Sequence, residues 1–144
     1  MVTPVQSDLE LFLTSWYRPR LQAHADDLLH DFEVSSHEPA DDEPFPLKLL
    51  VIRDDGGPSD YFTGDTALGL SVLMGNVLNP KDAKRALALI LGMLWDAPAA
   101  NAGETPRNPL VSIESITGPY AVTEEQDRAR QYGTASVIVT PEYL

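Results

Sequence analysis

At 144 residues the chain is long enough for one domain with its own core, and the lack of cysteine excludes disulfide staples, thiolate metal sites and a cysteine nucleophile. Ten Lys and Arg against 22 Asp and Glu give a formal net charge of −12, which disfavours a grip on phosphate backbones. No apolar run approaches the roughly 20 residues of a membrane span. The opening MVTPVQSDLE has no basic segment followed by an apolar one, so no signal peptide is visible and a cytoplasmic setting is expected.

Ser7-Asp8-Leu9-Glu10 reads as a capping box, with Ser7 and Glu10 exchanging bonds to each other's amides. Leu9, Phe12, Leu13 and Trp16 then recur at helical spacing. Pro19 predicts a kink or a break, because it removes a backbone donor and clashes one turn back. Helical spacing resumes with Leu21, Leu28 and Leu29, which allows one kinked rod to about Leu29 or two short pieces. Phe32–Ser36 alternates as a short strand. His37 to Pro46, with Pro39, Pro44 and Pro46, is a solvated loop. The acid is concentrated ahead of the first long strand: Asp26, Asp27, Asp31, Glu33, Glu38, Asp41, Asp42 and Glu43 run with no basic residue among them.

Leu47–Arg53 is apolar on both faces, as suits an inner strand covered on both sides or covered on one side by a neighbouring subunit. The link from Gly56 to Gly64 is too long for a two-residue hairpin, so its tip is expected to protrude. Leu68, Leu70, Val72 and Met74 alternate with Ala67, Gly69, Ser71 and Leu73. The small residues would admit another backbone or a helix. Asn79 is the expected N-cap of a second helix, with Pro80 at its first position and Asp82 on its dipole. Ala83, Ala86, Leu87, Ile90, Leu91 and Leu94 form its apolar stripe. Trp95 extends that stripe and Pro98 ends it, so Trp16 and Trp95 are both read as core.

Ala99–Pro109 is a loop. Leu110–Thr117 is a strand with Val111 and Ile113 on one face, broken by Gly118-Pro119. Thr123 to Arg130 is a charged connection flanked by Tyr120 and Tyr132, which read as a cross-strand aromatic pair or as interface residues. Tyr132–Thr140 alternates again, with Ala135, Val137 and Val139 opposite Thr134, Ser136 and Ile138, until Pro141 stops it. The expected fold is α+β over residues 1–144 as a single domain. A mostly antiparallel four- to five-stranded sheet is packed by two helices in the order α-β-β-β-α-β-β.

No motif of enzyme chemistry stands out. Gly56-Gly57-Pro58 has no following lysine and opens no helix, and no Gly-x-Ser-x-Gly elbow occurs. His24, His30 and His37 lack the spacing of a zinc helix and read as surface histidines. Asp54, Asp55, Asp60 and Asp65 do not follow a calcium-loop spacing. No cofactor is expected, and the chain reads as a non-enzyme.

The strand-and-turn segments PFPLKLLVIRDDGGP, GDTALGLSVLMG, KDAKRALALILGMLWDAP and NPLVSIESITGPYAVTEEQDRARQYGTASVIVTP resemble the tail terminator proteins of long-tailed phages, especially those of actinobacterial hosts. The resemblance runs from about Phe32 to Pro141, and the acidic insertion between Ser36 and Pro44 departs from it. It implies a small α+β structural protein of the virion tail, at its neck end, assembled in the host cytoplasm. Such a protein forms a ring, typically hexameric, on the completed tail tube, stops tube polymerisation and docks the head-side connector. Its partners would be further copies of itself, the major tail tube protein and the connector, with genomic DNA passing through the lumen unread. An acidic lumen suits that passage by repulsion. On this reading the assembly or lumen residues are Asp41, Asp42, Glu43, Asp54, Asp55, Asp60, Tyr120, Glu124, Glu125, Arg128 and Arg130. Another head–tail joining or tube protein is the nearest alternative, and a cytoplasmic acidic binding module the more distant one.

Overall fold

A computed structural model describes residues 2–40, 42–75, 78–100, 106–122 and 129–144. The elements are β1 (Pro4–Val5), α1 (Leu9–Ala23), β2 (Glu33–Ser35), β3 (Lys48–Asp54), β4 (Gly64–Met74), α2 (Lys81–Leu94), β5 (Leu110–Ala121), β6 (Ala129–Val139) and β7 (Glu142–Tyr143). Five strands form one sheet in the order β2-β3-β4-β6-β5, antiparallel except for β2 beside β3. The fold is therefore α+β in the expected order. The short β1 and β7, which the sequence did not suggest, pair with each other and clasp the two ends of the chain.

The core follows from side-chain alternation. Leu50 and Ile52 of β3, Leu68, Leu70, Val72 and Met74 of β4, and Ala135, Val137 and Val139 of β6 all face the helices. The α2 stripe Ala83, Ala86, Leu87, Ile90, Leu91 and Leu94 is buried against them as its spacing predicts. Gly133 allows this approach: a Cβ there would lie 2.7 Å from a Leu91 methyl. From α1 come Leu9, Phe12, Leu13, Trp16, Tyr17 and Leu21. Tyr17 joins the helices directly, its hydroxyl donating to the Ile90 carbonyl at 2.7 Å. Burial pushes its phenol pKa up, so it remains a donor.

Several expectations need correction. The cap of α1 is Asp8, not Ser7: the Asp8 carboxylate accepts from Leu11 N at 2.9 Å, while Ser7 Oγ donates to the Thr140 carbonyl and Glu10 accepts from Asp54 N. The candidate capping residues are therefore used to tie the helix start to distant strands. α1 neither breaks at Pro19 nor reaches Leu29. Pro19 lies on its exposed side, and a separate 3-10 turn at Asp27–Leu29 carries Leu29 into the core. The residue at the N-cap of α2 is Pro80 rather than Asn79, and the helix stops at Leu94, ahead of Pro98. Trp95 is 53% exposed, because the helix ends before it and Ala97, on the following 3-10 turn, fills the next core position.

β5 departs furthest from its reading. Gly118-Pro119 does not end it, since the strand continues to Ala121 through a cis Gly118–Pro119 peptide. Its register against β6 slips between Leu110 and Ser112, between Ile113 and Ser115, and between Thr117 and Tyr120. Each bulge inserts a residue and turns the strand. The inward set consequently becomes Leu110, Ile113 and Ile116, at a spacing of three. Val111 and Ile113 do not share a face: Val111 is 49% exposed while Leu110 is 6% exposed. Leu110→Ala should thus cost about 2–4 kcal/mol in denaturant unfolding and Val111→Ala under about 0.5 kcal/mol. Equal losses would mean that the bulged register is wrong.

Candidate assembly surface

The sheet has a second face, turned away from both helices. Register places Leu49, Leu73 and Arg130 in one row across it, Val51, Ser71, Tyr132 and Tyr120 in the next, and Arg53, Gly69, Thr134 and Thr117 in a third. Leu49, Val51 and Leu73 form a small core of their own, with Phe45 packed against it. Parallel strands need a crossover between them, and here the described residues 36–40 and 42–47 belong to one that is irregular chain rather than a helix. Phe45 and Glu38 show that this crossover passes over the second face, since Glu38 makes a salt bridge to Arg130 on β6.

A groove of about 710 Å³ is lined by Ser36, His37, Glu38, Val51, Arg53, Ser71, Val122, Arg130 and Tyr132. Tyr132 lies across Gly69, where a Cβ would meet its hydroxyl at 2.6 Å. The small residues of β4 therefore admit a tyrosine ring from β6, where a backbone or helix was expected. Tyr132 packs edge-on to Tyr120 with centroids 5.5 Å apart, the cross-strand aromatic pair that the sequence suggested. Its hydroxyl accepts from the Arg53 guanidinium at 3.4 Å. That bond, with the nearby Asp55 and Glu38 carboxylates, raises the Arg53 pKa. Glu38 is thus felt by both arginines of the groove.

The acidic turn is built differently from a ligand site. Asp54 is half-buried and its carboxylate is used within the chain, accepting from Gly56 N at 2.8 Å and from Gln6 Nε2 at 3.2 Å. Asp55 is exposed beside Gly69 and Arg53. The hairpin narrows through the Asp65 N to Pro58 O and Asp60 N to Thr63 O bonds into a tight turn. Asp60 holds that turn by accepting from Phe62 N and Thr63 N, each at 2.8 Å. At its tip Tyr61 and Phe62 are 49% and 70% exposed, and Tyr143 of β7 donates its hydroxyl to the Tyr61 carbonyl.

Of the residues singled out from sequence, Arg130 and Tyr120 belong to the second face, with Asp55 at its margin, and Asp60 shapes the tip. Asp42 and Glu43 are exposed on the crossover. Asp41, Glu124, Glu125 and Arg128 lie outside the described residues. His24 and His30 serve the turn between α1 and β2: His24 Nδ1 accepts from Asp26 N, and His30 Nε2 meets the His24 carbonyl at 2.8 Å. Among the described residues no group of three or more His, Cys, Asp or Glu side chains gathers as a metal ion would require. The sequence reading named Glu38 only within an acidic run and gave Arg53, Tyr61 and Phe62 no role. An aromatic pair in the middle of an Asp, Gly, Pro and Ser turn was the available signal for the last two.

Two carboxylates give the fold a pH signature. Asp60 lies below the ordinary aspartate value of 3.8 chiefly because the Thr63 and Phe62 amides donate to it. Asp26 lies below it through the Leu28 amide and then its Arg85 partner, 2.9 Å away. A depressed pKa contributes stability above the unfolded value, and this is lost as pH falls through the folded one. Thermal midpoints of the wild type and an Asp26→Asn, Asp60→Asn double variant should therefore differ at neutral pH and converge below 3.8. A gap that widens on acidification would contradict these roles. Compared with protein-family models and with curated proteins, the chain matches none.

Proposed function

We propose that this chain is a tail terminator of a long-tailed phage, a structural virion protein rather than an enzyme. It closes as a ring, six-fold in the family that it resembles, on the finished tail tube at the neck end. There it stops tube polymerisation and offers the head-side connector a docking surface, leaving a lumen for DNA. The observation that carries the reading is an aromatic hairpin tip, Tyr61 and Phe62, exposed at one end of a sheet whose two faces each bury an apolar cluster. Such surfaces suit a protein that works by being packed against others. The net charge of −12 agrees with a conduit wall that DNA slides past.

The test is genetic and visual. Phage lacking this gene should make tails of uncontrolled length that fail to join filled heads, as seen by negative-stain imaging of lysates. Labelled protein should appear at the head-proximal end of tails. Normal tails joined to heads without the gene would overturn the proposal.

A further inference from the structure

We propose that the aromatic hairpin corner docks on a basic partner protein, its Tyr61 and Phe62 rings entering an apolar hollow bordered by Lys and Arg side chains. This rests on the reading of the chain as an assembly protein and deepens it by naming the chemistry of one docking partner.

The corner has the makings of an anchor. Tyr61 and Phe62 are exposed and packed edge-on at 5.2 Å, and Tyr61 also lies at a tilt on the exposed Tyr143 ring, 5.5 Å away. Two bonds to Asp60 fix the turn from inside and the Tyr143 hydroxyl holds it from outside. Exposed rings that are already ordered lose little entropy on docking, and aromatic anchors of this kind carry much of the binding energy at interface centres.

The charge around the corner is of one sign. β3 ends, β4 begins and β6 ends at this end of the sheet, since Asp54 pairs with Leu68 and Gly64 with Val139. The start of α1 is tied there too, through Ser7 on the Thr140 carbonyl and Glu10 on the Asp54 amide. These elements bring Asp8, Asp60, Asp65 and Glu142 to the surface, all exposed. Asp60 directly precedes Tyr61, and Glu142 directly precedes Tyr143. Among the described residues none of the four is in an ion pair, the salt bridges being Arg85–Asp26 and Arg130–Glu38. Arg107, the cation beside the clasp, gives its guanidinium to Ser7 Oγ, Thr140 Oγ1 and the Pro141 carbonyl, and Arg53 turns to the Tyr132 hydroxyl on the second face. Cations gather instead at the opposite end of the sheet. Lys48, paired with Met74, donates to the Leu28 and His30 carbonyls, Arg18 reaches the Val34 carbonyl, and Arg130 holds Glu38.

Unpaired carboxylates around ordered rings select a basic occupant. Opposite charge across an interface speeds encounter, and like charge excludes the wrong partner. Nucleic acid and acidic proteins are repelled. A second copy meets the corner poorly, because its Lys48, Arg85 and Arg130 already hold partners within their own chain. A guanidinium or ammonium facing the corner can engage a carboxylate and a ring together, by charge-assisted hydrogen bonding and by cation–π contact.

Three short fluorescent peptides test this: one of Leu, Trp, Lys and Arg, one with Glu in place of every Lys and Arg, and one with Ser in place of every Leu and Trp. By fluorescence anisotropy the first should bind the wild type about tenfold or more tightly than either of the others. Phe62→Ala should weaken that binding about tenfold at any salt concentration. Asp65→Asn with Glu142→Gln should weaken it in low salt and flatten its salt dependence. Asp42→Asn with Glu43→Gln, on the crossover, should leave it unchanged. Amide shifts on adding the first peptide should centre on residues 60–63 and 142–143. All these sites are exposed, and circular dichroism checks that the variants fold. Equal binding of the three peptides, shifts centred on the crossover, or a Phe62→Ala protein that binds as well as wild type would overturn the proposal. So would self-association of the wild type that Phe62→Ala abolishes, which would make the occupant a second copy. The terminator reading survives each of these outcomes and is judged by the deletion phenotype.

Discussion

β4 is held from both sides, and most of the molecule takes its position from how that strand divides its side chains. Leu68, Leu70, Val72 and Met74 turn toward the helices, while Ala67, Gly69, Ser71 and Leu73 turn away. A slip of one residue against either neighbour would exchange the two sets and put leucines where Gly69 now admits the Tyr132 ring. β6 pairs with β4 from Gly64 to Met74 and β3 from Leu68 to Met74, so both inherit the same division. The helices then need only to cover an apolar face that already exists. α2 does so with a single stripe, and α1 joins it through one buried hydroxyl on the Ile90 carbonyl.

The opposite face is finished less completely. Its small core of Leu49, Val51 and Leu73 is roofed by an irregular crossover in place of a helix. That crossover is fastened by Glu38 to an Arg130 side chain that is only 10% exposed. That pair makes the roof and the groove beside it depend on each other. The edge of the sheet shows the opposite tendency. β5 is long and lies outermost, yet three bulges disrupt its ladder, a known way of blunting an edge against unspecific pairing.

Where side-chain period and element agree, the chain could be read directly. The α2 stripe and the alternations of β4 and β6 emerged residue by residue. β5 resisted because bulges convert a period of two into three, and nothing in Leu110–Thr117 announces an inserted residue. The α1 cap was misplaced by one position because Ser7 and Glu10 have longer-range partners in Thr140 and Asp54. The groove was the least legible part. Its residues come from Ser36–Arg53, Ser71 and Val122–Tyr132, and only the sheet order makes them neighbours. Single acidic residues misled in the other direction: Asp54 looked available for a partner and is engaged in holding Gly56 and Gln6.

The clasp of β1 on β7 brings both chain ends to one place. Thr3 and Leu144 exchange backbone bonds in both directions, and Tyr143 rests on Tyr61. Anything fused to either end of this protein emerges beside the aromatic hairpin. An affinity tag or fluorescent domain is therefore a steric probe of that corner, whichever terminus carries it, and a neutral attachment point has to be sought on a loop instead.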